Sequence, residues 1–260
     1  MRPSGKRKNM EGKRVRLWVA YDGTNYHGWQ IQNNGITIES ELNRALTDLL
    51  GEEVRVIGAS RTDAGVHALG NVAVFDTKSP IPAEKICYAV NARLPEDIRV
   101  TRSEEVAPDW HPRKCESRKT YEYRIDCTEI LQPVKRLYCH HVYRPLDLEA
   151  MQRAAGYLVG EHDFKSFCQE NAQVESTVRT IYDIALEREE GGSMLVIRVT
   201  GGGFLYNMVR IIAGTLLEVG CGRFAPEYVK EILEKKDRSA AGPTAPAKGL
   251  TLVKYEFPEE

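Results

Sequence analysis

No stretch of this chain has the length and apolar character needed to cross a membrane. The longest candidate, Ile211 to Leu217, contains Gly214 and Thr215 and stops at Glu218, well short of the ~20 residues a spanning helix needs. The basic N-terminus, Met1 to Arg14, has no apolar run after it, so it is not a secretory signal. A soluble, cytoplasmic protein is expected. Paired cysteines are also lacking: Cys87, Cys115, Cys127, Cys139, Cys168 and Cys221 form no C-x-x-C, which excludes a zinc ribbon and argues against a disulfide framework. Cys139-His140-His141 is the one local run of soft ligands. Neighbouring side chains on a strand face opposite ways, so these three cannot converge on one ion. Reduced thiols and no structural metal are expected.

Net charge is nearly absent too, at −1, which at first argues against a nucleic-acid partner. The sum hides local structure. Residues 1–14 carry +5 and the remaining chain −6. Arg113 to Arg124 holds Arg113, Lys114, Arg118, Lys119 and Arg124 against Glu116 and Glu122, interleaved with Tyr121 and Tyr123. Phosphate binding depends on local basic surface rather than on total charge. This stretch reads either as such a surface or as a solvated strand edge protected by lysines, and charge alone does not choose.

What is present is a globular chain of 260 residues, 42% hydrophobic, enough for one large domain or two small ones. Alternation predicts strands over Val15–Tyr21, Val54–Ala59, Asn71–Phe75 and Ile98–Val106. Helical spacing predicts Ile36–Leu50, capped by Thr37 and followed by Gly51, and Pro82–Arg93. That order is β-α-β-β-α-β, the ferredoxin-like arrangement. The second half repeats it: strand Thr120–Asp126, helix Leu146–Leu158 capped by Asp147, strands Val178–Arg188 and Met194–Thr200 around Glu190-Gly191-Gly192, helix Phe204–Val219, and strand Leu250–Phe257. Pro226–Lys236 is an added helix and Leu137–Tyr143 an added strand. The expected fold is α+β: two ferredoxin-like units forming one extended, mainly antiparallel sheet with helices on one face. A disordered basic tail over 1–13, an N-terminal unit over 14–108 and a C-terminal unit over 109–260 are expected.

Two segments stand out. Ser60-Arg61-Thr62-Asp63-Ala64-Gly65-Val66-His67-Ala68-Leu69-Gly70 joins two predicted strands but exceeds an ordinary hairpin connection. It concentrates Arg61, Asp63 and His67 on a long structured loop, where active sites are often built. Read locally, it is also a plain Asp-Ala-Gly turn. The second segment is Gly201-Gly202-Gly203-Phe204-Leu205-Tyr206-Asn207-Met208-Val209-Arg210. Its three glycines resemble an anion nest before a helix. It lacks the Lys and Ser/Thr of a phosphate loop and is not G-x-G-x-x-G, so no nucleotide cofactor is expected. Arg210 sits in an otherwise apolar helix and needs a partner or solvent; Asp63 is the candidate partner.

Arg61-Thr62-Asp63-Ala64-Gly65-Val66-His67-Ala68 resembles the signature of the tRNA pseudouridine synthase A family. The resemblance extends through Tyr21-Asp22-Gly23-Thr24-Asn25-Tyr26-His27-Gly28-Trp29-Gln30, Asn91-Ala92-Arg93-Leu94-Pro95 and Tyr121-Glu122-Tyr123. It continues through Gly160, Asp163, Phe164 and Phe167 to Phe204–Arg210, so it covers the chain from about Val15 to its end. It implies that Asp63 is the catalytic aspartate, that Tyr121 contacts the target base, that Arg61 helps hold the flipped nucleotide, and that Arg210 pairs with Asp63. It further implies a homodimer without metal or organic cofactor, acting on uridine at tRNA positions 38 to 40. The candidates for further RNA contacts are Arg113, Lys114, Arg118 and Lys119, with the basic tail. His67 is expected to structure the loop, and Tyr26 and Trp29 either to line an RNA cleft or to pack beneath it. A related synthase acting on another RNA site, and an RNA-binding module without activity, are the alternatives; the presence of Asp63 argues against the second.

Overall fold

The structure, a computed structural model, describes residues 12–169, 174–189 and 191–257. The first half runs β1 (Lys13–Tyr21), α1 (Ile38–Leu50), β2 (Ile57–Gly58), β3 (His67–Thr77), α2 (Ala83–Asn91) and β4 (Ile98–Val106). The second runs β5 (Arg118–Asp126), β6 (His140–His141), α3 (Leu148–Gly156), β7 (Gly160–Asp163), β8 (Val178–Arg188), β9 (Met194–Gly201), α4 (Met208–Gly220), α5 (Tyr228–Lys235) and β10 (Leu250–Glu256). The expected tail lies outside the described residues except for Gly12 and Lys13. Lys13 is the first residue of β1, paired with Thr77, rather than part of a tail.

The sheet order is β4-β1-β3-β10-β5-β9-β8-β7. Within the first half, β4-β1-β3 with β2 on the far edge of β3 is the strand order of a ferredoxin-like unit. In the second, β10-β5-β9-β8 repeats it, and β7 extends the edge. The units join where β10 pairs parallel with β3, at Thr251↔His67 and Leu252↔Ala68. β10 pairs antiparallel with β5 on its other side. Leu252 therefore stands between Ala68 and Tyr121 in one row across the joint.

Local chemistry explains the elements. Thr37 and Ser40 close a reciprocal capping box at the start of α1, and Gly51 ends it in the left-handed conformation. The Asp147 carboxylate accepts from Ala150 N at 2.9 Å to start α3. On one face of the sheet, Val15, Leu17 and Val19 of β1 and Leu195, Ile197 and Val199 of β9 are buried with the apolar sides of all five helices in one continuous core. The opposite face carries a smaller cluster of Ala59, Val72 and Tyr255, packed by Trp18, Trp110 and Phe257.

Three expectations are corrected. The strand expected over Val54–Ala59 shrinks to Ile57–Gly58, paired with Val74 and Ala73 of β3, because Val54 N and Val56 N donate instead to Thr47 Oγ1 and Asn43 Oδ1 of α1. The helix expected from Phe204 begins at Met208. Asn207 precedes it at φ 60, and Phe204 turns back to meet Tyr121 edge-on at 5.3 Å. The three glycines therefore do not form a helix N-terminus. β7 was not foreseen, since Gly160-Glu161-His162-Asp163 lacks the apolar alternation that marks a strand. Of the turn residues between β8 and β9, Glu190 lies outside the described residues.

Helix α4 runs close beneath the chain at 243–246. A Cβ on Gly214 would stand 1.8 Å from the Pro243 carbonyl oxygen. Gly214→Ala is expected to lower stability by about 1–3 kcal/mol through overpacking, read by urea denaturation. An unchanged midpoint would show that this segment does not rest on α4.

Candidate active site

The loop between β2 and β3 is held from below by the end of β1, by the segment that follows it and by Asn71 of β3. The Tyr21 hydroxyl pairs with Thr62 Oγ1 at 2.8 Å. Asn71, fully buried, donates to Ser60 O at 3.0 Å and to the Tyr21 hydroxyl at 3.2 Å. Trp29 N donates to Thr62 O at 3.0 Å, and Val66 N to Asp63 O at 3.1 Å. Gly28 lies at φ +84, and a Cβ there would come within 2.5 Å of Thr62 O. Only glycine allows both that conformation and that approach. His67, at the start of β3, accepts from Gly23 N at Nδ1 at 3.0 Å, and its Nε2 lies 3.1 Å from Leu137 O. Trp29 is 1% exposed and Tyr26 is buried with its hydroxyl on Asp97. Both pack beneath the loop rather than line the cleft.

This support presents Asp63 to Arg210 across the two units. Arg210 NH1 donates to Asp63 Oδ2 at 3.1 Å. The same nitrogen donates to Asn207 Oδ1 at 2.9 Å, and Arg210 Nε donates to Ala245 O at 2.8 Å. The guanidinium is thus oriented by three partners from three segments. The two side chains are 18% and 16% exposed. Burial pushes the Asp63 carboxyl above its ordinary value, and the hydrogen bond and charge of Arg210 oppose that shift.

The pair lies in a cleft of about 820 Å³. Tyr121, Phe204, Leu205, Val209 and Leu250 supply its apolar wall. Tyr121 is buried with its hydroxyl toward Ser60, and desolvation raises its phenol well above the ordinary tyrosine value. Arg61, Arg113 and Lys119 line the same cleft. Lys114 and Arg118 do not: Lys114 is exposed outside it, and the Arg118 guanidinium stacks on Tyr182 at 4.9 Å. Local reading passed over Asn207 as a partner of Arg210. Its signal was its type, since asparagine is among the few non-glycine residues that tolerate positive φ. The Ala245 carbonyl left no signal, as backbone carries no sequence mark. Among the described residues no group of His, Cys, Asp and Glu side chains is placed to hold a metal.

With this geometry in view, comparison with known proteins is informative. A family model described as tRNA pseudouridine synthase matches residues 17–113 and 154–258. Proteins named tRNA pseudouridine synthase A from Thermoanaerobacter sp. and Acetivibrio thermocellus are each 48% identical over 245 residues, covering 94% of this chain and 100% of their own. One from Ruminiclostridium cellulolyticum is 49% identical over the same span. The chain belongs to the tRNA pseudouridine synthase family. Among solved structures, an H/ACA RNP bound to a substrate RNA aligns with a TM-score of 0.37 and 14% identity, over 87% of this chain and 59% of that one, too distant to bear on the site.

Lys119 is lowered to about 8, by burial first and then by the charges of Arg113 and Arg179. The folded protein therefore binds fewer protons than the unfolded chain between about 8 and the ordinary 10.5. Stability rises with pH across that window. Lys119→Met is expected to abolish the rise and to increase Tm at pH 7. Thermal denaturation between pH 7 and 10.5 checks this, and a flat wild-type profile contradicts it.

Proposed function

We propose that the protein isomerises uridine to pseudouridine in tRNA, with Asp63 as the catalytic carboxylate. The observation that carries this reading is the half-buried Asp63–Arg210 pair facing an aromatic-walled cleft. The reaction breaks N1–C1′, turns the uracil and forms C5–C1′. No electron is gained or lost, so the reaction requires no redox cofactor. A carboxylate can attack C1′, attack the ring, or remove a 2′ proton. Each route needs Asp63 ionised while the cleft is filled by RNA and drier than bulk water. Burial works against ionisation, and Arg210 opposes that penalty.

The target base must leave its stack to reach Asp63. That costs a few kcal/mol, offset by stacking and phosphate contacts. Tyr121 holds the detached uracil while allowing it to turn. Arg61, exposed at the mouth with no ion-pair partner among the described residues, holds the flipped nucleotide. Arg113 and Lys119 meet the backbone nearby, and Lys114 and Arg118 meet RNA outside the cleft. The finer assignment is the anticodon stem-loop, at positions 38, 39 or 40, by a cytoplasmic homodimer. In support of a dimer, Ile130 and Val134, 80% and 77% exposed, offer apolar surface that a second copy would cover. Sedimentation checks the dimer, and a single monomeric species at micromolar concentration contradicts it.

Asp63→Ala is expected to form no pseudouridine on unmodified tRNA while binding it within about threefold of wild type. Turnover by this variant would remove Asp63 from the mechanism. Tight binding without turnover by wild type would make the protein a silent RNA-binding module. Retained pseudouridine at all three positions in a deletion strain would move the substrate to another site. The reactive form of Asp63 is ionised and its protonation lies above the ordinary range, so activity falls as pH drops through that raised value. Arg210→Gln is expected to move this acidic limb to higher pH. An unmoved limb in the pH–rate profile would show that Arg210 does not set the charge on Asp63.

A further inference from the structure

Cations gather at one end of the cleft and just beside it, and no acid among the described residues pairs with them; the charge of Glu39 reaches Arg113 only from beyond ion-pair distance. Arg61 comes from the catalytic loop, Arg113 from the connection between units, Lys119 from β5 and Arg179 from β8. Arg61 and Arg113 repel one another, and Lys119 feels both Arg113 and Arg179. Among the described residues no carboxylate lies within ion-pair distance of any of the four, whereas cations elsewhere are widely paired, as Arg14 with Asp76 and Arg198 with Glu122. Like charges held together and partly desolvated cost folding energy unless an anion joins them.

Their anchoring leaves donors free. Arg113 donates through Nε to Gly58 O at 2.8 Å, so neither terminal nitrogen is used to hold it. Arg179 donates through NH1 to Ser176 O at 3.0 Å and Val178 O at 2.6 Å, keeping its second terminal nitrogen. The Lys119 ammonium stands over the Tyr255 ring at 5.2 Å, with no hydrogen-bond acceptor among the described residues. Convergent N–H groups from several side chains suit a tetrahedral oxyanion, and in RNA that group is a backbone phosphate.

We propose that Lys119, Arg113 and Arg179 form a subsite for a backbone phosphate next to the target uridine, with Arg61 at its mouth. This rests on the uridine isomerase reading and sharpens its general backbone contacts into a defined hold on the ribose beside the target base. When N1–C1′ breaks, uracil and ribose are no longer joined. The phosphate subsite keeps C1′ in place while the uracil turns against Tyr121, so C5 meets the same carbon.

The test is a binding cycle on a tRNA stem-loop carrying a neutral methylphosphonate immediately 5′ or 3′ of the target uridine. Wild type is expected to bind one of the two roughly tenfold more weakly than the native RNA, the loss of one charge-assisted contact. Lys119→Met is expected to bind native RNA more weakly and to distinguish native from neutral RNA by less than about twofold, and Lys119→Arg to restore the discrimination. Arg179→Gln, away from the cleft wall, is expected to reduce it and guards against a misfolded Lys119 variant. Wild-type indifference to both substitutions, or the full penalty persisting in Lys119→Met, overturns the subsite. Pseudouridine formation on unmodified stem-loop is measured alongside: turnover without phosphate discrimination sinks the subsite alone, and absent turnover sinks the isomerase reading.

Discussion

Asp63 and Arg210 lie 147 residues apart in the chain and 3.1 Å apart in space, and the architecture of the cleft is organised around keeping them so. A half-buried ion pair is a poor source of stability, because desolvation offsets much of the Coulomb gain. Its value here is electrostatic. Burial favours the protonated carboxyl, while the guanidinium and its hydrogen bond favour the carboxylate. The balance sets how far Asp63 is ionised, which its proposed catalytic role requires. Arg210 performs this only if it does not swing, and Asn207 and Ala245 each remove one freedom from it.

The register of the sheet places the carboxylate opposite its aromatic wall. β10 belongs to the second unit but pairs with β3 of the first at His67 and Ala68, directly after the loop. Its other edge meets β5 at Tyr121. Leu252 spans the gap, and a slip of one residue on either side would turn Tyr121 away from the face it shares with the core. β2 and β10 use different stretches of the same edge of β3, Ala73–Val74 and His67–Ala68, so the loop carrying Asp63 leaves the sheet just before the joint. The end of β1 and the residues after it then brace the loop: Tyr21, Gly28 and Trp29 all address Thr62, immediately before Asp63.

Much of this was legible in the chain. β4 and β8 have the predicted ends, and the caps at Thr37 and Asp147 act as their types suggest. Element order was enough to reach two ferredoxin-like units, because alternation and helical spacing are local properties. What escaped was non-local. The shortening of β2 depends on α1, whose Thr47 and Asn43 side chains take the backbone donors of Val54 and Val56. The late start of α4 depends on Phe204 finding Tyr121, and the polar edge strand β7 has no apolar pattern to read. In the site, the flanking motifs pointed to Asp63 and Arg210, while Arg179 lay in an ordinary strand whose sequence carries no mark of its neighbours.

The formal charge of −1, from 36 basic and 37 acidic residues, looked wrong for a protein that handles RNA. The distribution of the acids resolves this. Glu122 is taken by Arg198, Asp76 by Arg14, Asp48 by Arg93 and Glu218 by Arg223. In the cleft the single acid among the lining residues is Asp63, and Arg210 answers it. Pairing elsewhere therefore concentrates unpaired positive charge at one place, and the field a phosphate meets is local to within a Debye length of ~10 Å. The same arrangement opposes folding, since Arg61, Arg113 and Lys119 are held together with no carboxylate in ion-pair contact among the described residues. In the proposed phosphate subsite, the RNA backbone supplies the missing counter-charge, and a near-neutral chain can in this way carry a strongly cationic site.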